Sequence, residues 1–388
     1  MHLHFFEPPG AWQSMLPLTY TRPVADVRCG ILTLAEKWQK RLGTADRSFG
    51  TEAYLAAGFP IQHPADALHI HSGLLPTAAL VAAIQGLKIN EALVSGDTLL
   101  AFRGASDGKK IPFDGNVAMV RYPWDLFAHN KQEIEADFDL LTAGRTSAPI
   151  TDPHTKTYGD RIFLEEGAKV KAAVLNAETG AIYLGKNSEV QEGSVIRGSF
   201  ALGESSVVNM GAKMRGDSSI GPNCKVGGEI SNSILYAHSN KAHDGFLGNS
   251  VLGEWCNLGA DTNNSNLKNN YANVKMWDFE TSRFKDTGLQ FCGLIMGDHS
   301  KCGINTMFNT GTTVGVSANI FGDGFPRNII PSFAWGGAGG FVTYQTKQAF
   351  ETAELVFKRR NRALTEGDKA ILQHVFEYTA GERVWEKK

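Results

Sequence analysis

Residues 184–226 read LGKNSEVQEGSVIRGSFALGESSVVNMGAKMRGDSSIGPNCKV, and every sixth residue of this stretch is aliphatic or methionine. An α-helix repeats every 3.6 residues and a strand every 2, so neither produces this period. The repeat predicts a parallel β-helix of hexapeptide units, in which each flat face turns one apolar residue inward. This ladder consists of Leu184, Val190, Ile196, Leu202, Val208, Met214, Ile220 and Val226.

The same period returns twice further along the chain. Phe246, Leu252 and Leu258 form a second run, and Met296, Cys302, Phe308, Val314 and Ile320 form a third. We therefore expect two loops to interrupt the solenoid, at about residues 229–245 and 262–292. Irregular segments on a rigid scaffold are common places for binding and catalytic residues.

The chain has 388 residues, enough for two to three domains. Residues 1–155 alternate strand-like and helix-like segments, which predicts a layered α/β domain with a mainly parallel sheet. The β-helix is assigned to 156–335. A helical segment is assigned to 336–388, where Thr365 and Asp368 form a capping pair. Its helices are expected on the open end of the solenoid or on a neighbouring subunit, because the last apolar layer needs cover.

Charge and cysteine content exclude several classes of protein. The chain has 38 basic and 40 acidic residues, which gives no electrostatic case for a nucleic-acid or membrane partner. Five scattered cysteines disfavour a disulfide framework and a structural zinc site. The start, MHLHFFEPPG, lacks a basic segment followed by an apolar one, and no apolar run reaches spanning length. These features predict a soluble cytoplasmic protein.

Residues 240–266, NKAHDGFLGNSVLGEWCNLGADTNNSN, carry a family resemblance in the spacing from the histidine through two LG pairs and N-x-G-A to a later asparagine. The segment resembles the acetyltransferase half of the bifunctional GlmU enzymes, and the whole layout resembles a GlmU-related family of bacterial sugar nucleotidyltransferases. The resemblance implies a Rossmann-like nucleotidyltransferase domain followed by a left-handed β-helix. It also implies a homotrimer with acetyl-CoA bound between neighbouring coils.

In that family the histidine is the general base, so the resemblance assigns this role to His243. An imidazole suits the step because it titrates near working pH and can accept a proton from an attacking amine. Glu229 falls at the position of the glutamate that orients the ring. The resemblance also implies substrate contacts for Lys213, Arg215, Asn257 and Asn266, with acetyl-CoA passing the backbone of Gly259 and Ala260. A family lysine is Ser231 here, which makes Lys241 or Lys268 the candidate replacement for its cation.

The N-terminal half carries a second resemblance, in LPLTYTRPVADVRCGILTLAEKW at residues 16–38. This segment resembles sugar-nucleotide pyrophosphorylases, whose glycine-rich loop holds nucleotide phosphates through backbone N–H groups. Here the equivalent segment is EPPGAWQSM, residues 7–15, with a single glycine. Candidate phosphate-binding residues are Arg22, Arg28 and Lys37. Asp97 is the candidate ligand for Mg²⁺, a hard cation that this chemistry requires.

Three functions remain open at this stage. The first is a GlmU-like enzyme of the UDP-N-acetylglucosamine type, which acetylates a sugar 1-phosphate from acetyl-CoA and joins it to an NTP, UTP being the first choice. The second is acyl transfer alone, with a binding-only N-terminal domain, because the glycine-rich loop is replaced. The third is a non-enzymatic trimeric sensor or scaffold. A zinc site at His238 and His243 would need a third histidine about two coils earlier, and residues 201–210 contain none.

Overall fold

The computed structural model describes residues 1–62, 64 and 66–386. It consists of an N-terminal α/β domain, a long parallel β-solenoid and two C-terminal helices, so the predicted fold class is confirmed, with a left-handed β-helix-like solenoid. The division at 155/156 and 335/336 stays a prediction. None of the helices within the described ranges has both the length and the apolar character needed to cross a bilayer.

The N-terminal domain is built on a six-stranded sheet in the order β2-β1-β3-β5-β4-β6. Its strands are β1 (Leu3–Phe6), β2 (Arg47–Gly50), β3 (Leu68–His71), β4 (Glu91–Ser95), β5 (Thr98–Arg103) and β6 (Lys109–Pro112). Its helices are α1 (Ala11–Ser14), α2 (Leu34–Leu42), α3 (Ala78–Gln85) and α4 (Pro123–Thr142). Strand β1 pairs in parallel with β2 and β3, whereas β5 runs antiparallel to both its neighbours. The carboxyl ends of β1 and β3 therefore meet at one edge of the sheet.

The solenoid has three faces. Face one contains β7 (Lys156–Tyr158), β10 (Val174–Asn176), β13 (Val195–Arg197), β16 (Lys213–Met214), β19 (Glu229–Ser231) and β22 (Phe246–Gly248), continued by β25 (Asn263–Asn264) and β30 (Met307–Phe308). Face two contains β8 (Ile162–Leu164), β11 (Ile182–Leu184), β14 (Phe200–Leu202), β17 (Ser218–Ile220), β20 (Ile234–Leu235), β23 (Val251–Leu252), β28 (Leu294–Met296), β31 (Thr312–Val314) and β33 (Ile329–Ile330).

Face three contains β9 (Lys169–Val170), β12 (Glu189–Val190), β15 (Val207–Val208), β18 (Lys225–Val226), β21 (Asn240–Lys241), β24 (Asn257–Leu258), β29 (Lys301–Cys302), β32 (Asn319–Ile320), β34 (Ala334–Gly337) and β35 (Gly340–Thr343). The predicted ladder from Leu184 to Val226 lies inside the prism, and none of its members is more than 2% exposed. Burying each such side chain is worth roughly 1.5–3 kcal/mol, so the stacked rungs supply the solenoid with its core.

The first predicted interruption is wrong, because residues 229–245 stay in the solenoid. Strands β19, β20 and β21 lie there in register. Lys225 pairs with Asn240, a shorter step along the chain than the one from Phe200 to its partner Ser218 in an earlier coil. The coil has shorter corners, and this shortening shifts the six-residue frame without the chain leaving the β-helix.

The second interruption, predicted at 262–292, contains a real insertion, although β25 at its start stays on face one. Val251 of β23 pairs directly with Ile295 of β28, and after β24 and β25 the chain between them forms the antiparallel hairpin of β26 (Lys275–Asp278) and β27 (Arg283–Asp286). Val274 and Met276 of this insertion are buried in the same apolar cluster as residues of the N-terminal domain. The hairpin is therefore part of the contact between the two domains.

Helix α4 attaches the N-terminal domain to face two of the solenoid. Trp124, Leu126 and Phe127 share an apolar cluster with the outward residues Ile234, Val251 and Ile295. Asn130 completes the contact, because its Nδ2 donates to the carbonyl of Asp217 at 2.8 Å and its Oδ1 accepts from Ser219 Oγ at 3.0 Å. Face two is thus covered on its outer side, where an isolated β-helix would meet water.

The C-terminal helices α5 (Thr346–Lys358) and α6 (Glu366–Tyr378) pack against both of the other parts. Leu372 and Val375 of α6 share a cluster with Trp12 of the N-terminal domain and Phe333 of the last coils. In α5, Phe357 stacks on Trp255 with ring centroids 3.9 Å apart. The expected capping box at Thr365 and Asp368 begins α6.

Candidate functional site

A cavity of about 910 Å³ lies at the carboxyl ends of β1 and β3. In open α/β sheets this edge is the usual place for a ligand. The cavity is lined by residues 6–11 after β1, residues 71–73 after β3, the turn at 97–99, and residues 119–122 before α4. Most of the EPPGAWQSM segment thus lies on the wall where the resemblance puts a phosphate loop.

Glu7 lies in this wall, and both of its carboxylate oxygens accept hydrogen bonds. Its Oε1 accepts from the backbone N–H of Val24 at 2.7 Å, and its Oε2 accepts from Thr51 Oγ1 at 2.9 Å. Burial raises the pKa of Glu7 to about 7, with the two hydrogen bonds acting in the opposite direction. The carboxyl group can therefore change its charge near neutral pH inside the cavity.

His71 and Arg121 give the cavity its basic groups. The backbone N–H of Gly73 donates to His71 Nδ1 at 3.1 Å, which leaves Nε2 to carry the ring proton of the neutral form. Burial lowers the pKa of His71 to about 4, so the imidazole is uncharged at neutral pH. Arg121 is exposed and, among the described residues that line the cavity, is the one charged cation.

Two predicted phosphate-binding residues face other groups. Arg22 is 5% exposed, and its guanidinium pairs with Asp298 and Glu254 of the solenoid. Lys37 is fully buried, with Nζ 2.6 Å from Asp137 Oδ2 and 2.8 Å from Glu133 Oε2. Because carboxylates already neutralise both cations, this geometry does not support the phosphate contacts expected of them.

Arg28 and Asp97 lie in different surroundings. Arg28 is half-buried and donates to the carbonyl of Ile31, so it braces its own loop. Asp97 is exposed in the turn between β4 and β5 and lines the cavity, as expected for a ligand-binding carboxylate. No cluster of three or more His, Cys, Asp or Glu side chains suited to a metal ion exists within residues 1–62, 64 and 66–386. A single carboxylate suits a Mg²⁺ ion that is held mainly by nucleotide phosphates.

A second site candidate surrounds His243, at the corner where the chain passes from face three to face one. The corners of successive coils stack here: Asp261 N–H donates to the carbonyl of Asp244 at 3.1 Å, and Gly228 below leaves no room for a side chain beside the carbonyl of His243. The imidazole of His243 is exposed. Gly259 and Ala260 belong to the next corner of this column, as the resemblance implies for an acyl-donor groove.

Lys241 fixes this corner from inside the solenoid. Its side chain is fully buried, and Nζ donates to the carbonyls of His243 and Asp244 at 2.5 and 2.9 Å. Burial lowers the pKa of Lys241 to about 8. Its ammonium group supports the backbone that carries the imidazole and does not face a surface ligand, so the geometry does not support its role as a replacement phosphate-binding cation.

Glu229, Lys213 and Arg215 lie on face one beside the corner. Lys213, Glu229 and Phe246 are register partners in adjacent coils, so they form one outward column. Glu229 pairs with Arg215 at 3.0 Å, and this ion pair takes the place of the hydrogen bond to His243 that the resemblance implies. The structure places Lys213, Arg215 and Glu229 near the corner of His243. Glu229 is paired with Arg215, so it does not orient the imidazole of His243 as the resemblance implies.

The two predicted asparagines are separated. Asn257 is exposed on face three, where Asn240 Nδ2 donates to its Oδ1 at 3.4 Å, just before the corner of Gly259. Asn266 lies at the corner between faces one and two and donates to Asn249 Oδ1 at 2.8 Å. His238 is buried against Trp255 and contacts Arg362 at 2.7 Å, so it does not join His243 in a zinc site.

Sequence reasoning did not find Glu7, His71 or Arg121. Glu7 follows strand β1 and His71 is the last residue of β3, and a polar residue at the carboxyl end of a parallel strand was the available signal. Glu280 of the hairpin also lines the cavity, opposite Gly10. These two residues are far apart in the sequence, because Glu280 belongs to the insertion in the solenoid and Gly10 lies near the start of the chain. No local pattern marks that contact.

Comparison with known proteins shows what the N-terminal domain is similar to. Residues 3–146 match the family model of sugar nucleotidyl transferases. A bifunctional protein GlmU of Methanocaldococcus jannaschii is 33% identical over 87 residues, which cover 22% of this chain and 21% of that protein. Parts of the chain are therefore similar to sugar nucleotidyl transferases and to GlmU proteins. A second GlmU, from Methanococcus aeolicus, is 32% identical over 92 residues, covering 24% of this chain and 22% of its own.

The aligned part of the chain spans about a fifth of the length of the curated relatives it matches. Among solved structures, a mutant perosamine N-acetyltransferase from Caulobacter crescentus, in complex with CoA and GDP-perosamine, aligns with 83% of this chain and 94% of its own. Its sequence identity is 12% and its TM-score is 0.17. A TM-score this low does not establish a common fold.

Proposed function

We propose that this chain is a transferase of nucleotide-sugar metabolism, with nucleotidyl transfer in the N-terminal cavity. The observation that carries the proposal is that the cavity at the ends of β1 and β3 lies inside the domain that matches sugar nucleotidyl transferases. In the proposed step an oxygen of a sugar 1-phosphate attacks the α-phosphorus of an NTP, for which UTP is the first choice. The bond between the α- and β-phosphates breaks, and pyrophosphate leaves.

The residues of the cavity have distinct roles in this proposal. Arg121 pairs with phosphate oxygens, since it is the exposed cation of the lining. Asp97 would help to hold a Mg²⁺ ion brought in with the nucleotide, and such an ion would supply positive charge against the charge that develops on pyrophosphate. Glu7, through Val24 and Thr51, fixes the loop that replaces a glycine-rich one.

Acyl transfer at His243 is the second proposed activity. Its support is an exposed imidazole on a corner that a buried lysine holds in place. The sugar amine attacks the thioester carbonyl of acetyl-CoA, the amine proton passes to the imidazole, and the carbon–sulfur bond breaks to release CoA. In this proposal the chain is a homotrimer, and acetyl-CoA binds in a groove between coils of neighbouring subunits. Light scattering on the purified chain tests the oligomeric state.

Two assays test the proposal. Pyrophosphate release from a panel of NTPs with sugar 1-phosphates tests the first activity, and thiol release from acetyl-CoA with amino-sugar phosphates tests the second. His243→Ala should lower thiol release by about a hundredfold or more, as for the loss of a general base, with little change in melting temperature. His154→Ala, at another exposed histidine, is the matched control. Thiol release alone would favour an acyltransferase with a binding-only N-terminal domain, and neither signal would favour the scaffold.

A further inference from the structure

The tip of the β26–β27 hairpin, which belongs to the solenoid, forms one wall of the N-terminal cavity. Glu280 at this tip lines the cavity, and its Oε1 is 3.4 Å from the place that a Cβ on Gly10 would take. Gly10 lies in the segment that replaces the glycine-rich loop. A carboxylate from one domain thus faces the ligand loop of another.

The hairpin tip is held in shape by a buried carboxylate. Asp278 is 5% exposed, and its two oxygens accept from the backbone N–H of Glu280 at 3.1 Å and from Thr281 Oγ1 at 3.0 Å. This turn sets the direction of the tip. The Glu280 side chain is exposed, so it is free to meet a ligand.

The hairpin is also anchored to the cavity wall of the N-terminal domain. Lys285 donates to the hydroxyl of Tyr122 and lies 4.2 Å from the centre of its ring. Tyr122 lines the cavity and stacks on Trp124 at 4.7 Å. Because Val274 and Met276 are buried at the base of the hairpin, the whole element is fixed against the N-terminal domain.

The charges around the cavity are unevenly distributed. Carboxylates line it at Glu7, Asp97 and Glu280, whereas Arg121 is the only charged cation of the lining within the part of the chain that the structure describes, and His71 is neutral. A carboxylate accepts strong hydrogen bonds from hydroxyl groups and repels phosphate. A polyphosphate is therefore favoured toward Arg121 and disfavoured toward the hairpin.

We propose that Glu280 is a specificity-determining residue of the N-terminal site. It accepts hydrogen bonds from hydroxyl groups of a bound nucleoside diphosphate sugar and disfavours a further phosphate at that wall. The inference rests on the proposed function, because it takes the cavity to be the nucleotide-sugar site. It adds that the solenoid completes this site, so residues 1–155 alone carry only part of it.

The test is calorimetric binding to the full-length chain, with Mg²⁺ held constant. Two ligands of the same base are compared, a nucleoside diphosphate sugar and the nucleoside triphosphate, after the best base has been chosen from a panel of four. Glu280→Ala should bind the sugar nucleotide about fivefold more weakly and the triphosphate about threefold more tightly. Glu280→Gln should show the same gain for the triphosphate and keep sugar-nucleotide binding within about twofold, because its amide oxygen still accepts hydrogen bonds. Glu351→Ala, at an exposed glutamate of α5, is the control and should change neither affinity.

The outcomes separate the inference from the proposed function. Arg121→Ala should weaken both ligands, and wild-type protein that binds neither would reject the cavity as the nucleotide site together with the role of Glu280. If wild-type protein binds and Arg121→Ala weakens both ligands, the proposed function stands. In that case, equal weakening of both ligands in Glu280→Ala, or no change in either, overturns the specificity role.

Discussion

Arg22→Met tests whether one buried cation joins the N-terminal domain to the solenoid. Arg22 lies in the chain between two short helical turns, Leu18–Tyr20 and Val24–Asp26, and its guanidinium donates to Asp298 and, at 3.2 Å, to Glu254. Its Nη1 is also 3.7 Å from Asp26 Oδ2, and the group lies over the ring of Tyr236 at 5.0 Å. One cation thus serves three carboxylates from two domains.

The expected loss follows from the burial of the partners. Asp298 is 4% exposed, so removal of Arg22 leaves a desolvated carboxylate without its counter-ion. Breaking a buried pair from one side typically costs about 3–5 kcal/mol, and methionine keeps most of the volume of the side-chain stem. We expect the free energy of unfolding of the joined domains to fall by this amount in urea, followed by tryptophan fluorescence. Urea is preferred to guanidinium chloride because it does not screen charges.

The loss of stability in Arg22→Met should also depend on pH, in a direction that can be worked out. Burial raises the pKa of Asp26 to about 6, with Arg22 acting in the opposite direction, so the variant should raise this pKa further. A carboxyl group with a raised pKa in the folded state destabilises the fold as pH rises through that pKa. The deficit of Arg22→Met should therefore be larger at pH 8 than at pH 5. A loss below about 1 kcal/mol at pH 8, or a larger deficit at pH 5, would refute the reasoning. Arg283→Met, at an exposed hairpin residue, is the control.

Three further predictions concern groups already described. Lys241→Met leaves the carbonyls of His243 and Asp244 without their donor, so amide exchange at residues 242–245 should accelerate and thiol release should fall at least about tenfold, with nucleotide binding unchanged. Glu7→Gln should make the free energy of unfolding less dependent on pH. In the wild-type protein this free energy should fall between about pH 5 and 7, because burial raises the Glu7 pKa to about 7. In the variant the decrease over this range should be smaller by roughly 2–3 kcal/mol. All five cysteines are free and buried, and burial raises the Cys224 pKa to about 12, so a thiol reagent should modify the native chain no faster than it unfolds; prompt labelling of one thiol would contradict this.

The solenoid could be predicted because its core residues recur at a regular short spacing in the sequence. The rungs repeat one apolar residue every six positions, and the structure buries all of the predicted ones except Phe246, which lies on the outer side of face one while Leu247 points inward. The error at 229–245 has a physical cause, since corners can shorten while the rungs continue. The shortened step from Lys225 to Asn240 keeps the strands paired, yet a search at fixed period six reads it as a gap.

Contacts between distant segments were not predictable in the same way. Helix α4 has 20 residues, and its buried positions include the polar residues Asn130 and Asp137, whose partners lie elsewhere in the chain. These polar residues interrupt the apolar face by which the helix would be recognised in the sequence. Arg22 and Lys37 look like free cations beside a Pro-Leu-Thr segment. Only the fold shows that Asp298, 276 residues away, and Asp137, 100 residues away, neutralise them.

The positions of the two proposed sites constrain how they can cooperate. The N-terminal domain covers face two of the solenoid, through α4 and the hairpin. His243 lies at the corner between faces three and one, which in a three-sided prism is the edge opposite face two. Within one chain, a sugar released at that corner must therefore pass around the solenoid through solvent to reach the cavity. For this reason the proposed function requires each site to recognise its ligand from solution, without help from channelling between the two sites.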